Sequence, residues 1–202
     1  MKTPLGFAAA LATASLVHAG TGYLRPEIAY VSSTSKGADA GIGAFVAGGI
    51  ALGATGAHEL ELEVGWAGWE RSMASVDDGG LNSVGHSDNS AVPLLLNYRF
   101  RGTVSETVRA YVEVGLGGAQ VSADWDVDRA VGNDVRGSED ATGAAAAIGA
   151  GFAWQFGERT SLTAGVRYLM VRATGSDLFN DFEVSEAEFD ALTAELGLRI
   201  EF

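Results

Sequence analysis

Catalytic chemistry has few places to reside in this 202-residue chain. His86-Ser87-Asp88 holds the residue types of a nucleophilic hydrolase: a base, a hydroxyl and a carboxylate to orient the base. The members of such a triad converge from separate parts of a fold, which neighbours in sequence rarely do. A solvated loop is the better reading, and no catalytic residue is assigned. Asp124-Trp-Asp126-Val-Asp128 opens like a calcium loop. Arg129, however, stands where that loop needs glycine for its turn, and Val135 where it needs a closing glutamate. No metal or cofactor site is therefore assigned. Weak divalent binding among Asp77, Asp78, Asp124, Asp126, Asp128 and Asp140 stays open beside the plainer reading of hydrated acidic loops. Phosphate-cradling glycine loops are absent, because most glycines lie in alternating segments, where they permit bulges and tight curvature.

A larger set of charges is spread along the chain, out of step with apolar neighbours. Arg25, Arg99, Arg101, Arg109, Arg167 and Arg199 supply six cations, and Glu27, Glu61, Glu63, Glu113, Glu195 and Glu201 six anions. Glu59 is left aside at a turn mouth. A charge in a low-dielectric interior is costly unless it is paired, so this balance reads as an interior salt-bridge network. Two uses stay open for it: a plug that holds the interior shut, or the wall of a narrow or gated water and ion path.

Alternation with period two supplies the elements that must position these charges. In the last segment Leu192, Ala194, Leu196, Leu198, Ile200 and Phe202 fall on one face, with Thr193, Glu195, Gly197, Arg199 and Glu201 on the other. Seven earlier segments behave alike: Tyr23–Val31, Gly41–Gly53, Glu59–Trp66, Val92–Arg101, Val108–Gly117, Gly143–Phe156 and Ser161–Met170. Each is near the roughly 9–11 residues a tilted strand needs to cross a bilayer. A strand at the very end of a chain needs both edges paired, and closing a barrel provides this. Connections alternate in length. Those at 54–58, 102–107 and 157–159 are short; those at 32–40, 71–90, 122–140 and 174–187 are long, polar and mostly acidic. Short turns at one mouth and long loops at the other mark a membrane barrel with its short side in the periplasm. A soluble ligand-carrying barrel would reverse the faces, apolar inside and polar outside. The expected fold is all-β, an eight-stranded antiparallel up-and-down transmembrane β-barrel. Aromatic residues divide into two belts: Tyr98, Phe100, Trp154 and Phe156 toward the short turns, and Tyr30, Trp66 and Tyr168 toward the long loops. Trp69 is out of phase and is read as a cap on the lumen.

The N-terminus points to export. Lys2, an apolar stretch from Leu5 to Val17 and the small-residue site Val17-His18-Ala19 have the layout of a signal peptide, too short to span a membrane as a helix. Residues 1–19 are read as leader and 20–202 as one barrel domain. There is no cysteine, so disulfides cannot hold this exported chain. The net charge is −13, and beyond the leader Lys36 is the only lysine, which argues against a nucleic-acid partner.

The C-terminal Glu195-Leu-Gly197-Leu-Arg-Ile200-Glu-Phe202 resembles the assembly signal of bacterial outer-membrane barrels: polar, any, glycine, two of any, hydrophobic, any, terminal aromatic. With Pro93-Leu-Leu-Leu-Asn-Tyr-Arg-Phe100, it makes the chain similar to the small outer-membrane barrels of the OmpA and OmpX type over its mature length. No peptidoglycan-binding domain follows Phe202, so cell-wall anchoring is not implied. The resemblance implies a monomer in the outer membrane, with lipid, lipopolysaccharide and the barrel-assembly machinery as its surroundings and partners. It names no extracellular ligand. A structural or surface-interaction role through the extracellular loops is the first expectation; a small pore or carrier is the second. A lipid-modifying enzyme is third, because some small outer-membrane barrels modify lipid A with His and Ser near the outer mouth. Deleting Phe202 is expected to slow insertion and leave a protease-sensitive periplasmic chain, which heat-modifiable migration on gels would detect.

Overall fold

Each strand carries an apolar row and a polar row, and in the computed structural model these rows become the outside and the inside of one closed barrel. The structure describes residues 21–34, 38–53, 55–76, 82–128, 135–174 and 187–202. The leader, Asp77 and Asp78 lie outside the described residues. Eight strands follow in order: β1 (Gly22–Ser33), β2 (Ala40–Leu52), β3 (His58–Val76), β4 (Asn82–Thr103), β5 (Val108–Asp128), β6 (Val135–Gln155), β7 (Thr160–Thr174) and β8 (Ala187–Glu201). Every strand pairs antiparallel with its neighbours in sequence, and β8 returns to β1 to close the ring. At the seam Tyr23 lies opposite Glu201, and the Phe202 amide donates to the Gly22 carbonyl at 2.9 Å.

The short mouth is made by the connections β2–β3, β4–β5 and β6–β7. In the first of them Gly53 and Gly56 have φ of 75° and 58°, a left-handed backbone that other residues adopt only under strain. The opposite mouth differs from the loop reading above. Much of 71–90 and 122–140 is strand: β3 and β4 stay paired to Val76↔Asn82, and β5 and β6 to Val127↔Val135. These segments are polar on their outer side, which hides a strand from a reading that looks for lipid-facing apolar residues.

Outward positions carry the apolar side chains, with Ile28, Val112, Val166 and Leu116 all more than half exposed to the surroundings. A bilayer covers such a row; water would not favour it. The interior has two storeys. Toward the short turns it is charged, as described below. Toward the other mouth Val31, Leu95, Leu169 and Val171 pack with a ring of alanines, including Ala29, Ala67, Ala91 and Ala191. Above them Trp69, inside the barrel, stacks on Phe189 with centroids 3.9 Å apart and planes 14° from parallel. This apolar storey went unseen in the sequence, because an inward alanine or leucine looks like an interruption of the alternating pattern.

Because Val112 and Val166 face lipid at mid-strand, replacing either by Arg is expected to cost roughly 2–4 kcal/mol. Thr163→Arg, on the inner face, lacks that lipid penalty; urea unfolding of the three variants in lipid vesicles measures the difference.

Candidate functional site

The lower storey of the lumen is built from ring, glycine and arginine units. Tyr23 lies opposite Gly49 across β1 and β2, Phe45 opposite Gly65 across β2 and β3, and Tyr111 opposite Gly151 across β5 and β6. A Cβ at Gly49 would sit 2.5 Å from the Tyr23 hydroxyl, and one at Gly65 would overlap the Phe45 ring. At Gly151 it would come within 2.6 Å of the Tyr111 hydroxyl. Each glycine therefore opens room for a ring to lie along the barrel wall. An arginine then stacks on each ring. The guanidinium carbon of Arg199 is 3.4 Å from the Tyr23 centroid, that of Arg99 4.1 Å from Tyr111 and that of Arg167 4.5 Å from Phe45. A cation over a desolvated aromatic face contributes on the order of 1–2 kcal/mol. The rings fill the space beside these inward glycines, and the arginines lie on the rings.

Placed this way, the guanidinium groups meet carboxylates from other strands. Arg167 bridges Glu63 at 2.5 Å and Glu195 at 2.6 Å. Arg99 donates to Glu113 at 2.5 and 3.0 Å and lies 3.5 Å from Glu61. Arg25 pairs with Glu27 and with Glu61 at 2.6 Å, and approaches Glu63 at 3.6 Å. Asn97 donates to Glu63 at 3.2 Å, and the Tyr23 hydroxyl donates to Glu61 at 2.5 Å. These side chains are almost wholly buried. Water cannot screen them, and each ion depends on its partners.

Two residues stand differently from the sequence-derived set. Glu59 is fully buried, held by Arg101 at 2.7 Å and Arg199 at 2.8 Å. Its phase with Glu61 and Glu63 points it inward, although it stands one residue from a turn. Arg109 is half-buried at the short-turn mouth and makes no ion pair among the described residues. Glu201, also at that mouth, pairs with Arg199 at 2.9 Å and lies 3.7 Å from Arg101. In the C-terminal octet, Glu195 faces the network and Gly197 lies opposite Glu27, while Ile200 and Phe202 face outward. Of the belt residues, Tyr30, Trp66, Tyr98, Phe100, Trp154 and Phe156 are exposed on the outer surface and Tyr168 partly so.

The hydrolase-like tripeptide does not assemble. On β4, His86 and Asp88 point outward and Ser87 points inward, where its hydroxyl accepts from the Asn89 amide at 2.8 Å. Asp126 pairs with Arg136 at 2.9 Å, and Asp140 accepts from Ser122 at 2.6 Å. Among the described residues no group of three or more His, Asp or Glu side chains is arranged to hold a metal ion.

A closed eight-stranded barrel with a lipid-facing apolar exterior and a salt-bridged lumen defines a small outer-membrane β-barrel protein, and the outer membrane, with its phospholipid and lipopolysaccharide, is its place. Residues 3–201 match the outer membrane protein beta-barrel domain family, and the chain belongs to that family. No curated protein sequence matches it significantly. Among solved structures it is similar in fold to Neisserial surface protein A (NspA), at 15% identity and a TM-score of 0.51, covering 90% of this chain and 97% of that one. Ail, the attachment invasion locus protein of Yersinia pestis, also gives 15% and 0.51, over 92% of this chain and all of that one. OprG from Pseudomonas aeruginosa gives 16% and 0.51, over 91% and 96%. At these identities the likeness concerns the fold.

Removing one partner of a buried pair typically costs about 3–5 kcal/mol. Arg167→Ala strips Glu63 and Glu195 together and is expected to reach that range in urea unfolding, while Arg136→Ala, on an exposed pair, should change stability little.

Proposed function

We propose that this barrel acts at the cell surface through the sheet that β3 to β6 raise above the outer mouth, and that its lumen is a plug. The observation that carries this is the inequality of the strands. β3 to β6 run 19–22 residues, whereas β1, β2, β7 and β8 run 12–15. At ~3.3 Å per residue and a tilt near 40°, the excess lifts the four strands roughly 15–20 Å higher than the rest. The outer face of that projection is polar, and a groove of about 470 Å³ runs across it between His86, Asp88, Asp124, Trp125, Asp126 and Arg136. Asp88 and Asp124 lie side by side there and are exposed.

An acidic face on a chain of net charge −13 suits a cationic partner, drawn by long-range attraction that salt weakens. Names such as surface protein and attachment invasion locus protein, borne by two barrels of similar fold, are in keeping with this reading. The salt-bridged lower storey and the Trp69–Phe189 stack above it support the plug. Cleavage of residues 1–19 and delivery by the barrel-assembly machinery belong to the same reading. So does the absence of a catalytic role, since Ser87 and His86 occupy opposite faces.

Planar-bilayer recording of the refolded barrel is expected to show little steady conductance. A cationic peptide is expected to bind outer-membrane vesicles carrying the protein, less so at high salt and less so for Asp88→Asn with Asp124→Asn. Large, steady conductance would replace this reading with transport, and unchanged peptide binding by the double variant would remove the acidic face from it.

A further inference from the structure

The charges in the lower storey do not balance. Among the described residues, with Glu59 inside, the lower storey and the short-turn mouth hold seven glutamates, at 27, 59, 61, 63, 113, 195 and 201, against six arginines, at 25, 99, 101, 109, 167 and 199. The fully enclosed part is short by the same amount, with six glutamates and five arginines once Arg109 and Glu201 are left at the mouth. One negative charge is uncompensated in a site closed to water, and an isolated buried carboxylate is too costly to persist.

The distribution of partners shows where that charge resides. Glu59, Glu61 and Glu63 each meet two arginines, and Glu113 takes two bonds from Arg99. Glu27 and Glu195 have one arginine each, Arg25 and Arg167. Glu27 is the less satisfied. Arg25 and the Thr163 hydroxyl, 3.3 Å away, both engage its Oε1, while Oε2 is buried and accepts no hydrogen bond. Glu195 lies diagonal to it on the same inner face, because Glu27 pairs with Gly197 and Ala29 with Glu195 across the β1–β8 seam. Gly197 has no side chain to part them. A Cβ there would come within 2.7 Å of the Thr163 hydroxyl and overlap Glu27. Glu63, Glu113 and Arg167 act on the pair from β3, β5 and β7.

We infer that the Glu27–Glu195 pair, beside Thr163, is a binding site for a single positive charge, a proton or a small monovalent cation, which makes the lower storey neutral. Either species completes the same electrostatics. A proton held by the pair turns one carboxylate oxygen into a donor; a sodium-sized ion would be held by carboxylate and hydroxyl oxygens.

The test uses the whole barrel refolded in lipid vesicles. Infrared spectra at neutral pH report a protonated carboxyl through its carbonyl stretch. Unfolding temperatures in sodium, potassium and the bulky N-methylglucamine at equal ionic strength report a bound ion. A carbonyl band that Glu27→Gln removes identifies the proton. A sodium- or potassium-dependent rise in unfolding temperature that Glu27→Gln removes identifies the ion. In either case Glu27→Gln should unfold no lower than the wild type, because it discards a surplus charge, whereas Glu61→Gln, which strips Arg25 and Arg99, should unfold lower. Glu195→Gln serves as the second neutralising variant and should likewise abolish the signal. Absence of both signals in the wild type overturns the inference. So does a signal that survives both substitutions, or a loss of stability in Glu27→Gln equal to that in Glu61→Gln.

Discussion

In lipid, every backbone amide and carbonyl must find a partner within the protein, and the rest of this structure follows from that requirement. A strand can meet it only if both its edges are paired, so the sheet has to close. Here closure falls between the first and last strands, with the Phe202 amide on the Gly22 carbonyl as its final bond. Closing eight strands in turn produces an interior narrow enough for side chains to fill. Once the apolar residues face lipid, the alternate residues have nowhere to go but that interior. The lumen is thus a consequence of the ladder, and its charges have to be satisfied by one another.

Satisfaction is achieved through shape as much as through charge. A guanidinium has to be aimed, and a long flexible side chain loses entropy when it is aimed. The rings of Tyr23, Phe45 and Tyr111, each opposite a glycine on the neighbouring strand, give Arg199, Arg167 and Arg99 a surface to lie on. Glycine in a strand interior is unfavourable in itself. Its cost here is offset by the ring it admits and by the ion pairs that the stacked arginine can then reach. Buried pairs of this kind add little net stability compared with apolar packing, but any one of them is costly to break. Such a network therefore favours a single arrangement of the lower storey over an adaptable one.

The two ends of the molecule are treated differently. At the short mouth the chain turns tightly and the charged network reaches the rim at Arg101, Arg199 and Glu201. Toward the other mouth the interior becomes apolar and closes with Trp69 on Phe189, while the outer face of the continuing strands becomes polar. The outer face, apolar at the level of Leu94, Leu96 and Ile148, becomes polar at His86, Asp88, Asp124 and Asp140. Along this polar stretch β3 stays paired with β4 and β5 with β6, so the chain continues there as folded sheet.

The sequence by itself determined the class of fold, the number of strands, their order and which face meets lipid. All of these follow from a two-residue repeat that each segment carries locally, and from connections whose lengths alternate. It also determined most of the inward charges, because a residue's phase within its strand decides its side of the wall. What only the tertiary structure decided was whatever depends on register and on contacts across the barrel. The pairing of Arg167 with Glu63 and Glu195 joins three strands, two of them far from the third in sequence. Burial of Glu59 depends on Arg101 and Arg199 arriving from β4 and β8. The extension of β3 to β6 through segments that read as loops depends on a partner strand for each polar stretch, since such a stretch has no apolar face to declare it. Phase is written in one segment at a time; partnership is a property of the closed ring.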